Sequence, residues 1–514
     1  MLVCHGMGQQ VPFESVDGVV RALRLAEECL TNDECQVTAT VVKLKHAGGE
    51  ETLPRAEMTL RGADDRERKV HVYEAYWAPL TEGRVSSPDV VNFLFDAFRN
   101  GLQNGTAGRW HRWMFGKIRQ FSTGRAALEI VGAYLVVLPL LLINATIAAV
   151  AAARVTIGYF TGWPSDALIG DLTVDILLLL IAAAAIIVGS WLPGSYRNKR
   201  FAPEALCRNR IWQTWRLSEP IRRVCWVFVW TGLSVPLPVG LLILFHLLWH
   251  VPSSAEMTWS RVGIDLFDWF DWRHQYNGMA WRIFTVVTWG LALWTCSAAR
   301  SYLVQSLGDV AAYVSAYSVN KFWEVRASIK DAALTVARAI YGAKRVSPAG
   351  AETEEFEYAR VIVVGHSLGS VLAYDTLNTL IKQDLINQVV HDPVLDVVAR
   401  TELLLTLGSP LDKTAFIFTT QTSTEVQVRE ALAAAAQPMI VDYAYRPRRW
   451  INIWSPNDWI GGPLHYYDDD STAPNPKRVD NRPDPDACTP LLAHNEYWTN
   501  KMFVQALHEG TTST

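Results

Sequence analysis

The chain has 514 residues, half of them apolar and only 19% charged, with a formal net charge of −4. That length allows two or three domains, and the small charge imbalance excludes a general nucleic-acid binder. A mean hydropathy of +0.09 leans towards a membrane protein. Seven cysteines with no Cys-x-x-Cys pair read as reduced thiols rather than a disulfide framework or a zinc site.

In chain order, Met1–Cys4 is an apolar strand, too short and without the basic flank of a signal peptide. It runs into His5-Gly6-Met7-Gly8, a His-Gly-x-Gly turn. Ser15–Leu30 reads as a helix, and Val37–Lys45 and Val70–Trp77 read as strands. A sheet beginning at residue 1 either dispenses with earlier strands or has its true start upstream. Val91–Phe98 suits a core-packed helix or an interfacial face.

Four long apolar stretches follow, at 130–153, 176–196, 224–249 and 283–299, each expected to span a bilayer. Pro139, Pro236 and Pro238 are expected to kink them. Trp191, Trp226, Trp249, Trp281 and Trp294 lie near their ends, as an aromatic belt requires. His246 reads as the lone ionisable residue inside them. Arg109, Arg112, Lys117, Arg119 and Arg125 precede the first stretch, and eight Lys or Arg between 197 and 223 separate the second from the third. The loop 155–171 has no Lys or Arg, and 251–280 is acidic and aromatic. Positive-inside asymmetry then places both termini in the cytoplasm.

Val361–Gly365 is a short β-branched run leading straight into Gly365-His366-Ser367-Leu368-Gly369, with a helix-compatible segment from Ser370 to Leu380. Strand, Gly-x-Ser-x-Gly turn and helix together describe a nucleophile elbow, which raises a serine hydroxyl above a sheet edge. A serine nucleophile needs a base, a group to orient that base and donors for an oxyanion. The backbone N–H groups of Met7 and Leu368 are the expected oxyanion donors, with His5, Gly6, Gly8 and His366 lining the site. Glu402–Leu407 and Arg449–Trp454 read as later core strands. Asp458, just past the second of them, fits the chain order Ser…Asp…His, with Asp412 and Asp442 as competitors. Among His465, His494 and His508, His494 follows a Pro-rich loop and precedes a last amphipathic segment, where the base belongs. Arg446, Arg448 and Arg449 read as an exposed basic cluster, able to meet anionic head groups or to pair with acids. The stretch 468–486 reads as an exposed loop.

Four segments carry a resemblance: His5–Gln9, Gly365–Ser370 with Tyr374-Asp375, Gly408-Ser409-Pro410-Leu411, and Asn452–Asp458. They resemble the DDHD-domain intracellular phospholipases and related bacterial membrane-associated α/β hydrolases. The resemblance implies Ser367 as nucleophile, Asp458 as acid, ester lipids as substrates and, with the apolar stretches, a bacterial inner-membrane setting. The departures are Trp459-Ile460-Gly461-Gly462 after the acid, the missing Asp/His set that names that domain, and the membrane insertion.

The expectation is therefore an α/β-hydrolase-like, mostly parallel sheet flanked by helices and interrupted by an inserted four-helix transmembrane domain. Residues 1–125 and 305–514 supply the hydrolase and 126–304 the insertion. No metal or organic cofactor is needed. The expected partners are the lipid bilayer and an acyl-ester substrate, with no nucleic acid and the oligomeric state left open. An esterase or thioesterase for soluble acyl compounds is the rival enzyme, and a non-catalytic membrane scaffold the rival outside enzymes.

Overall fold

The apolar runs Leu2–Cys4, Val361–His366 and Thr401–Leu407 are buried along their whole length, which a strand achieves only where both sheet faces are covered. The structure, a computed structural model, describes residues 1–7, 10–31, 35–46, 48–61, 66–107, 109–114, 117–122, 124–156, 166–200, 219–249, 279–314, 321–346, 352–420, 437–469, 478–489 and 492–512. Contacts divide them into two units. One gathers the described residues of Met1–Val131, Gly194–Leu217 and Leu303–Thr514, and the other those of Gly132–Pro193 and Ser218–Tyr302.

The first unit is α/β. Its strands are β1 (Leu2–Cys4), β2 (Val37–His46), β3 (Gly49–Arg61), β4 (Glu67–Ala75), the hairpin β5 (Arg109–Met114) and β6 (Lys117–Ser122), the pair β7 (Lys344–Val346) and β8 (Glu352–Phe356), then β9 (Val361–His366), β10 (Thr401–Leu407), β11 (Arg449–Trp454) and β12 (Asp480–Pro483). Eight form one sheet in the order β12-β11-β10-β9-β1-β4-β3-β2. Pairing is parallel from β12 through to β4 and antiparallel for β4-β3 and β3-β2. Successive side chains alternate between faces. Met1, Val3, Ile362, Val364, Leu403, Leu405, Ile451 and Ile453 share one core with Val19 and Leu23 of the helix Glu14–Thr31 and Phe503 and Leu507 of the helix Lys501–Thr512. The helices Lys321–Gly342 and Leu368–Val390 pack on each other and on the central strands.

Two strands run against expectation. β3 was not anticipated; it is largely polar and carries Pro54. Pro54 lies where β3 pairs only with β2, since pairing to β4 begins at Ala56, so its missing N–H breaks no ladder to β4. Asp480–Pro483 is a strand inside the stretch read as an exposed loop. Its polar residues pair with β11 through the backbone at the sheet edge, which needs no apolar pattern. The basic cluster also divides: Arg446 is buried over the Tyr443 ring and donates to the carbonyl oxygens of Met439 and Tyr467. Arg448 and Arg449 pair with Glu402 and Glu509.

The second unit contains four segments long and apolar enough to cross a membrane: Pro139–Thr156, Leu168–Ser190, Arg223–Leu248 and Met279–Ser297. Pro139 sits inside the continuous helix Gly124–Thr156. The third segment breaks at Val235, between helices Glu219–Ser234 and Pro236–Trp249, where Pro236 opens a helix whose first N–H has no partner to lose. A core of Ile143, Ile147, Leu172, Ile176, Ile243 and Trp289 lies inside. Leu142, Val155, Ile187, Val227, Leu241 and Val286 are exposed, a pattern compatible with a membrane protein. His246 is not the lone ionisable residue of these segments. The second one begins earlier than its apolar run suggests and takes in Asp175, whose Oδ2 lies 2.8 Å from His246 Nδ1. Trp289 donates to Thr173 and Cys296 to Asn144, so side-chain hydrogen bonds join all four segments. Most of the acidic, aromatic loop 251–280 and most of the basic loop 197–223 lie outside the described residues.

An added Cβ at Gly369 would sit 2.2 Å from the Cys4 carbonyl oxygen and 2.3 Å from that of His5. Neither backbone atom can yield without moving β1. Gly369→Ala is therefore expected to cost about 3 kcal/mol or more, read as a lower urea midpoint for the detergent-solubilised chain. Gly462→Ala, whose added carbon meets nothing within 4 Å, should leave the midpoint unchanged.

Candidate active site

Parallel pairing brings the carboxyl ends of β1, β9, β10 and β11 to one edge of the sheet, the edge where open α/β sheets hold their ligands. Ser367 lies between the last residue of β9 and the helix Leu368–Val390, with φ 54° and ψ −129°. A non-glycine residue in that region is strained by about 1–3 kcal/mol. Its N–H donates to the Leu407 carbonyl at 2.9 Å, which ties the turn to the end of β10. The close approach of Gly369 to β1 explains the small residue two places on. Gly6 sits against the same turn: a Cβ there would lie 3.1 Å from Ser367 Cβ.

His494 Nε2 lies 2.7 Å from Ser367 Oγ, and His494 Nδ1 lies 2.9 Å from Asp458 Oδ2. Ser367 and Asp458 are 1% exposed and His494 8%, so little water competes for these bonds. With Nδ1–H donating to the carboxylate, Nε2 is left as an acceptor facing the serine hydroxyl. Asp458 Oδ1 accepts from the N–H groups of Ile460 and Gly461, at 2.8 and 3.0 Å. Its Oδ2 also accepts from the Tyr497 hydroxyl at 2.8 Å. Burial pushes the Asp458 carboxyl up, but the neighbouring His494 and these donors outweigh it and hold the group well below the ordinary carboxylate range. Lys413 Nζ donates to the carbonyls of Trp459 and Gly461, clamping the loop whose amides hold Asp458.

The competing acids and bases lie elsewhere. Asp412 accepts the N–H groups of His465 and Tyr466, and burial pushes its carboxyl up to about 7. Asp442 caps Ala444 N–H. His465 bonds Asp468, and burial of His508 on the last helix lowers its pKa.

Two neighbouring histidines are held neutral. His366 Nε2–H donates to the His494 carbonyl at 2.8 Å, and burial lowers its pKa to about 3. His5 stacks on Trp77 with ring centroids 4.7 Å apart; its Nε2 accepts Trp77 N–H and its Nδ1–H donates to Gly6 O. Burial lowers the His5 pKa to about 4. Each fixes backbone beside Ser367. Met7 follows Gly6, partly exposed, and Leu368 opens the helix behind the serine. Gly8 lies outside the described residues. Tyr497 and Lys413 were not anticipated. The signal for Tyr497 was its place three residues after His494; Lys413 left none, since a lysine after Gly-Ser-Pro-Leu-Asp reads as a solvated helix start.

Both buried histidines have folded pKa values below the ordinary 6.5. The unfolded chain therefore takes up protons first as pH falls, and their contribution, whole above about pH 6.5, drains away towards pH 4 and below. The melting temperature should fall across that window, less steeply in His366→Gln. Equal slopes in the two proteins would contradict this origin.

No protein-family model, curated protein or solved structure matches the chain, so what the site does must be argued from its own geometry.

Proposed function

We propose that the protein is a membrane-integrated serine hydrolase of the α/β-hydrolase type that cleaves carboxylic esters, with acyl lipids as its substrates. The observation that carries this is the unbroken Ser367–His494–Asp458 chain of hydrogen bonds. Residues from three separate elements meet there at the edge of a parallel sheet, with the serine in a strained elbow.

His494 Nε2 takes the Ser367 proton as Oγ attacks the ester carbonyl. The resulting imidazolium is stabilised by Asp458, which also holds the tautomer. The N–H groups of Met7 and Leu368 receive the developing oxyanion, a role supported by the contact of Gly6 with Ser367 and the position of Leu368 at the helix start. As the tetrahedral intermediate collapses, the C–O bond to the alcohol breaks and His494 returns its proton to the leaving oxygen. Water, deprotonated by the same imidazole, then releases the acyl group and restores Ser367. Neither metal nor organic cofactor is called upon.

Four apolar segments on the same chain keep the site beside acyl lipids, which makes a long-chain ester the economical substrate. With the Arg- and Lys-rich segments 109–125 and 197–223 inside, the catalytic residues face the cytoplasm. Residues 1–125 and 305–514 then form one hydrolase domain and 126–304 the membrane insertion.

Purified chain in detergent or vesicles should hydrolyse phospholipid faster than p-nitrophenyl butyrate. Ser367→Ala should lower turnover on both by about 10⁴-fold. Preference for the soluble ester would shift the substrate class to small acyl compounds. Wild-type turnover in Ser367→Ala would remove the serine from the mechanism.

A further inference from the structure

His494 and Tyr497 stand three residues apart in consecutive 3-10 turns, Ala493–Asn495 and Tyr497–Thr499. That geometry brings side chains at i and i+3 to the same side. Both reach one atom: Asp458 Oδ2 accepts His494 Nδ1–H at 2.9 Å and the Tyr497 hydroxyl at 2.8 Å. The phenol is wholly buried and its oxygen accepts Ser455 N–H at 3.0 Å, which turns its proton towards the carboxylate. From these positions we infer that Tyr497 is a positioning residue that sets the basicity of His494 by sharing the carboxylate oxygen that orients it.

A carboxylate oxygen bonded to two donors offers each less negative charge than it would offer one alone. The Tyr497 hydroxyl therefore weakens the hold of Asp458 on the imidazolium form of His494. It keeps the imidazole free to accept the serine proton at a lower pH than an unshared Asp–His pair would allow. The phenol itself stays protonated, because burial and the adjacent Asp458 push its pKa well above the ordinary range. Among the described residues, His494 also faces the Ser367 hydroxyl and the ring of His366, 5.0 Å away between centroids. His366 is neutral across the working range, as is His5 behind it, so among these groups the charge lies on Asp458, and Tyr497 is the side-chain donor that shares with His494 its Oδ2. This role presupposes the serine-hydrolase function proposed above.

The test is the pH profile of kcat/KM on p-nitrophenyl butyrate for the full chain in detergent. Tyr497→Phe preserves the buried ring and removes the shared donor. It should move the acidic limb up by on the order of half a pH unit, lowering kcat/KM by about threefold on that limb while leaving the plateau in place. Replacing Tyr497 with 3-fluorotyrosine, a stronger donor of almost the same shape, should move the limb down instead. That second variant keeps the test decisive if Tyr497→Phe fails to fold. A uniform loss of rate in Tyr497→Phe with the limb in place, or no opposite movement with the fluorinated residue, would leave only a packing role and overturn the inference. A wild-type chain that hydrolyses no ester would overturn the proposed function and this role with it, whereas an active wild type with unmoved limbs would overturn this role alone.

Discussion

The parallel register of β1, β9 and β11 is the constraint on which the site depends. β1 lies hydrogen-bonded to β9, with Cys4 opposite Gly365. β10 carries the same direction across to β11. Three loops from distant parts of the chain therefore leave the sheet at one edge. The turn at His5–Met7, the elbow at Ser367 and the Asp458 loop meet there because the strands beneath them are level. The strain at Ser367 survives because its surroundings leave it no alternative: Leu407 O takes its N–H, and Gly369 is pressed against the carbonyls of β1.

Environment, more than residue type, separates the acids at this edge. Asp458 and Asp412 are both buried. Asp458 receives two amides, a phenol and an imidazole, so its ionised form is satisfied and its pKa is depressed. Asp412 has backbone amides from His465 and Tyr466, and burial prevails. Two carboxyls of equal intrinsic acidity are thus driven apart, and only the first is fit to stabilise an imidazolium. The histidines divide in the same way. His5 and His366 are locked neutral as struts, while His494 keeps one nitrogen on a carboxylate and the other on a hydroxyl.

Much of this arrangement was legible in the sequence, because each part has a local signature. β9 is an unbroken β-branched run into Gly-x-Ser-x-Gly, β11 ends four residues before Asp458, and His494 precedes the last helix. What escaped lacked local patterning. β3 and β12 are polar strands held by backbone pairing beside stronger neighbours. Lys413 and Tyr497 matter through contacts with residues 46 and 48, and 39 and 42, positions away. Asp175 was hidden because it stands just before an apolar run, and its significance appears only with His246, 71 residues on. Long-range pairing of polar groups leaves no periodicity to read.

The second unit likewise pairs its polar side chains with one another. Many of its apolar side chains are exposed, while Asp175, His246, Thr173, Trp289, Asn144 and Cys296 find partners within the unit, an arrangement compatible with a membrane protein. The central claim, that His494 activates Ser367 as a nucleophile, is most directly tested by covalent capture. The full chain would be treated with a fluorophosphonate and the adduct mapped by peptide mass spectrometry. One adduct per chain on Ser367, abolished in His494→Ala, is the expected result; modification elsewhere, or equal labelling without His494, would contradict it.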